Sequence, residues 1–186
     1  MIVINQDIWK YAEENAVDFL CFPTNGFVKR GGENVMGAGL AKQVSNRFPE
    51  IPKLLGSYLQ GKGEKGNVPY VVRYPDDKAN YNIITFPVKP CVVHDRSLLL
   101  TRFQHGVNPP PYPGYQSKGV SAIISRSAYL LRKYVDESKV EKVILPAVGC
   151  SSGGLLFKDV EPLLDQFLND SRFLIVDINK EIFNKK

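Results

Sequence analysis

Two histidines, three cysteines and one tryptophan in 186 residues leave this chain little material for metal or thiol chemistry. Cys21, Cys91 and Cys150 are far apart and no two form a Cys-x-x-Cys pair, so neither a disulfide framework nor a structural zinc is indicated. Cys91, His94 and His105 match no zinc spacing, and no metal and no cofactor are expected. Long apolar runs are missing too: nothing approaches the roughly 18 residues of a membrane span. The opening "MIVINQDIWK" lacks the charged start and apolar middle of a signal peptide. The expectation is a cytoplasmic, monomeric protein with no membrane partner.

What is present is an ordinary globular composition, 44% hydrophobic and 23% charged, which suits one domain over residues 1–186. The net charge of +5 favours an acidic partner, a phosphate ligand or nucleic acid, although Lys180, Lys185 and Lys186 in the tail supply part of it.

Short β-rich runs, "MIVI" and "VDFLCFP", come first, the second predicted to end at Pro23. Leu40, Ala41, Val44 and Phe48 recur at helical spacing, Pro49 breaks the pattern, and residues 51 to 59 read as a second helix ended by Gly61 and Gly63. "VPYVVRY" and "YNIITFPV" are strands around the turn-rich "PDDKAN". An amphipathic helix over 120–135 leads to the strand "KVILPAV", the loop "GCSSGG", a helix over about 158–169 and the strand "RFLIVDI". Alternation of this kind predicts an α/β fold, a mixed β-sheet with helices on both faces. Residues 90–119, with "NPPPYPGYQSKG", break the rhythm and read as an inserted loop.

Two glycine-rich loops stand between strands and helices. Gly37-Ala38-Gly39 opens like a dinucleotide fingerprint, but its sixth position is Lys42; Gly32 and Gly37 have the gap of a phosphate-binding P-loop, but Ala38 stands where the lysine belongs. This argues against an NAD-dependent oxidoreductase. Gly149 to Leu155, "GCSSGGL", is the second loop. Bare backbone amides at two such loops suit a diphosphate.

The blocks "DFLCFPTNGFV", "NVMGAGLAKQVSNRFPE", "IITFPVK" and "LPAVGCSSGGL" together resemble the macro-domain family of ADP-ribose-binding proteins, in the branch of the DarG antitoxin and the terminal ADP-ribose glycohydrolase. The resemblance implies a three-layer macro-domain fold and residue roles. It places Asp7 on the adenine amine with the backbone of Ile8 on the ring nitrogens, though Asp7 suits a helix cap equally well. It places Asn25 at the distal ribose, and Gly37, Ala38, Gly39 and Leu40 along that ribose and the phosphate. Gly149, Cys150, Ser151, Ser152, Gly153, Gly154 and Leu155 match the loop that wraps the diphosphate, with Cys150 as a space-filler. Lys89, in "FPVK", matches a lysine that would attack the anomeric carbon or steer the leaving group.

One departure stands out. Where the terminal glycohydrolase resembles "GGLDW", this chain has Leu156, which cannot polarise a ribose hydroxyl. Asp159 suits the first turn of its own helix, and Asp95 lies in the insertion. The implied function is binding of ADP-ribose and hydrolysis of an ADP-ribosyl glycosidic bond on DNA or protein, with DNA contact consistent with the charge. The alternatives are a non-catalytic reader of ADP-ribose and an ADP-ribose 1''-phosphate phosphatase.

Overall fold

The computed structural model describes residues 1–77, 79–93 and 116–176. Six strands, β1 (Ile2–Ile4), β2 (Phe19–Val28), β3 (Val71–Arg73), β4 (Asn82–Val93), β5 (Val143–Pro146) and β6 (Phe173–Val176), form one sheet in the order β1-β6-β5-β2-β4-β3. All neighbours are parallel except β3, which runs antiparallel to β4. The helices are α1 (Ile8–Glu14), α2 (Gly39–Arg47), α3 (Ile51–Lys62), α4 (Ser121–Glu137) and α5 (Phe157–Asp165).

Successive strand residues point to opposite faces, so near-continuous apolar strands bury both faces of a parallel sheet. Leu20, Phe22, Ile83, Ile144 and Leu174 pack with Ile8, Val44, Ile51 and Leu55 of α1 to α3. Their neighbours Cys21, Ile84, Phe86, Leu145 and Phe173 pack with Ile124, Leu131, Val160 and Leu164 of α4 and α5. The mixed sheet with helices on both faces follows the predicted alternation.

Beyond shifts of helix ends, such as α3 running through Gly61 to Lys62 and α5 stopping at Asp165, three elements differ from the sequence reading. Strand β2 does not end at Pro23 but continues to Val28. Its last partner on the β5 side is Leu20, so Pro23 lies where the strand is paired on one side only, the place where a missing N–H is tolerated. Helix α1 has no counterpart in the sequence reading because seven residues are too few to show a period; Asp7 starts it, with Oδ1 accepting from the amides of Trp9 and Lys10 at 3.0 Å each. Residues 90–93, expected within the inserted loop, extend β4. The rest of that insertion, 94–115, with His94, Asp95 and His105, lies outside the described residues, as does the tail from 177.

Candidate ligand-binding site

Between the carboxyl ends of β2, β4 and β5 lies a cleft of about 490 Å³. One wall is the segment entering α2. Gly39 adopts φ +56°, a left-handed conformation, and the N-cap position of α2 is Ala38, which has no side chain to cap the first amides. The helix therefore presents orphan N–H groups and its positive end to the cleft, an arrangement that suits an anion.

The opposite wall is the loop after β5. It closes on itself: Leu155 N donates to Gly149 O at 3.0 Å, and Gly154 N donates to Ser151 O at 2.9 Å. A Cβ on Gly153 would stand 2.2 Å from that same Gly149 oxygen, so only glycine permits the ring. The amides of Ser151, Ser152 and Gly153 donate to no acceptor among the described residues. All three residues line the cleft.

The floor carries the two candidate catalytic residues, and a bulge sets them. Partners run Thr24 with Pro87 and then Gly26 with Cys91, so Asn25 alone faces Val88, Lys89 and Pro90. Extra residues of this kind bend a strand and re-aim a side chain. Gly26 is required there, because a Cβ would come within 2.4 Å of Cys91 Cα. Asn25 is held rigidly, its Nδ2 donating to Val35 O at 2.7 Å and its Oδ1 accepting from Phe27 N at 3.0 Å. Asn34 Nδ2 donates to the carbonyl of Asn25 at 2.8 Å and ties the same turn from behind.

Lys89 is 5% exposed, and its Nζ donates to the carbonyl of Ser152 at 3.1 Å, linking floor to loop. Burial disfavours the ammonium and holds this amine below the ordinary lysine range. Among the described residues that line the cleft, none is an aspartate or glutamate.

The structure thus brings Asn25, Gly37, Ala38, Gly39, Leu40 and Lys89 to one cleft with Gly149, Ser151, Ser152 and Gly153. Cys150, Gly154 and Leu155 belong to the same loop without lining it; Cys150 is buried and its Sγ donates to Val148 O. Asp7 and Ile8 do not line it either: Asp7 caps α1, and Ile8 is fully buried beneath the sheet. Leu156 is 40% exposed at the start of α5, outside the cleft, and Asp159 lies in the first turn of that helix. Thr24, Gln43 and Gln116 line the cleft without having been singled out from the sequence. Only Gln43 carried a signal, standing four residues after Gly39 on the same helix as the amides.

No family model and no curated protein matches the sequence. Solved structures match the fold. The macrodomain of Mycobacterium tuberculosis DarG superposes with a TM-score of 0.64 at 20% identity, covering 94% of this chain and 97% of that one. The macrodomain of Thermus aquaticus DarG gives 0.60 at 16% identity, covering 95% of each. Thermosipho africanus DarTG, solved in complex with ADP-ribose, gives 0.65 at 17% identity over 94% of this chain, which spans 40% of the DarTG chain. The chain therefore has the α/β macro-domain fold.

Proposed function

On the premise of a macro-domain fold, we propose that this chain binds ADP-ribose in the cleft between its two amide-bearing loops. The observation that carries this reading is the convergence of the uncapped start of α2 and the unpartnered amides of residues 151–153 on one cleft of about 490 Å³. That volume is typical of small-ligand sites. Two sets of N–H donors facing each other suit a diphosphate flanked by two ribosides. The Thermosipho DarTG structure, similar in fold, was solved with that ligand.

We further propose hydrolysis of an ADP-ribosyl glycosidic bond on modified DNA or protein, with Lys89 as the reactive group. A desolvated amine supplies a lone pair at pH values where an exposed lysine stays protonated. As nucleophile its Nζ bonds to the anomeric carbon while the bond to the leaving base or carboxylate breaks with its electron pair; water then displaces the amine. Asn25, facing the same bulge, would orient the distal ribose.

A second reading has its own support. No carboxylate among the described residues lines the cleft, and at the position where the resemblance implies an acid this chain has Leu156, which lies outside the cleft. That favours a reader that binds and releases ADP-ribose unchanged. Incubation with ADP-ribosylated DNA and with ADP-ribosylated protein separates the two. Free ADP-ribose released from either by wild type, and lost in Lys89→Ala, supports hydrolysis. Tight binding with no release from either linkage leaves the reader.

A further inference from the structure

Gln43 lines the cleft four residues into α2, and the resemblance gives it no role. Its Oε1 accepts from the indole Nε1 of Trp9 at 2.6 Å. An indole N–H can only donate, so the amide oxygen must face Trp9 and the NH2 group must face away from it. Nε2 has no partner among the described residues.

Trp9 is itself held from several sides. It sits in the first turn of α1, the helix that Asp7 caps. The Arg47 guanidinium lies 5.0 Å from its ring centroid, and the Phe48 ring packs at 6.5 Å on a tilt. Arg47 in turn pairs with Glu13 of α1. The direction of the Gln43 amide is thereby set before any ligand arrives, and a donor already oriented loses little freedom on binding.

Adenine presents an exocyclic amine, which donates, and ring nitrogens, which accept. A carboxylate at Asp7 can serve only the amine, and both its recorded bonds use Oδ1 to cap α1, outside the cleft lining. A ring nitrogen needs an N–H, and Gln43 is the cleft-lining side chain wired through Trp9 to the helix that Asp7 begins. Resting on the ADP-ribose reading above, we infer that Gln43 reads the purine: its Nε2 donates to one ring nitrogen of the adenine. Trp9 is the positioning residue that fixes which way the amide faces.

The test is calorimetric titration of ADP-ribose and its 1-, 3- and 7-deazaadenine analogues into wild type, Gln43→Met, Trp9→Phe and the double variant. Methionine keeps the length and helix propensity of glutamine without a donor. Gln43→Met should weaken ADP-ribose by about three- to tenfold, the worth of one neutral hydrogen bond. One of the three analogues, the one lacking the accepting nitrogen, should bind wild type and Gln43→Met alike. Trp9→Phe keeps an aromatic ring beside Arg47 and Phe48 but lets the amide turn; it should weaken ADP-ribose by a smaller factor and add nothing in the Gln43→Met background. Equal affinity of wild type and Gln43→Met for ADP-ribose overturns the inference, as does one common ratio between them for all four ligands. A wild type that binds no ADP-ribose overturns the underlying ligand reading instead, and so the two failures are told apart.

Discussion

Lys89 sits in surroundings that its residue type rarely occupies. A lysine 5% exposed, on a strand, with its amine on a backbone carbonyl, is held where its charge is disfavoured. If it supplies the reacting amine, Lys89→Ala should lose most turnover while ADP-ribose affinity stays within a few fold, because an interaction made only in the transition state can be removed alone. Lys89→Arg keeps charge but has no free amine near neutral pH, so its inactivity marks a nucleophile and its activity an electrostatic anchor. Burial also has a consequence for stability. With its folded pKa below the ordinary 10.5, Lys89 binds fewer protons folded than unfolded between those two values. Wild-type stability should therefore rise with pH across that window relative to Lys89→Met. Thermal midpoints of both proteins over alkaline pH check this, and parallel curves would show that the amine is not perturbed.

At the scale of elements, single positions within the two loops that form the cleft walls tolerate change very differently. A Cβ on Gly37 meets nothing within 4 Å, and its φ is not in the left-handed region, whereas Gly39 is left-handed and Gly153 abuts the Gly149 carbonyl. Gly37→Val should leave the thermal midpoint nearly unchanged and cut ADP-ribose affinity by tenfold or more, read by titration and by unfolding on the same sample; unchanged affinity would place the ligand away from this wall. Gly153→Ala should distort the ring of the second loop and cost about 1–3 kcal/mol of stability, the range of overpacked sites. On the far side, Arg172 joins Asp170 at 2.7 Å and Asp136 at 2.6 Å, tying the end of α4 to the turn before β6. Hydrogen bonds from Arg172 hold the Asp170 carboxyl below its usual value, so its stabilisation is present above that value and lost as pH falls through the lowered pKa. Arg172→Met should flatten the acid limb of a midpoint-against-pH curve.

For the whole molecule, ligand binding and stability are linked. A ligand that binds only the folded state at 100 times its Kd adds about 2.7 kcal/mol, which is roughly 5–10 °C for a chain of this size. ADP-ribose should raise the midpoint more than AMP at equal concentration, because in the proposed binding mode only the whole ligand spans the floor at Lys89 and both walls. No shift at millimolar ADP-ribose would be incompatible with the proposed binding. Among the described residues no helix is long and apolar enough to cross a membrane.

The sequence by itself determined the layered α/β plan and the two glycine loops, because strand alternation, helical spacing and glycine tolerance are local properties, written within a few residues of one another. It also marked Lys89, Asn25 and Leu156, through short blocks that resemble macro domains. Only the tertiary structure decided how these residues meet. The bulge that sets three residues of β4 against Asn25 depends on strand register between segments more than sixty positions apart. The pairing of Trp9 with Gln43 depends on how α1 packs beside α2. Contacts of that kind are set by packing and pairing between distant segments, and no local pattern in the chain encodes them.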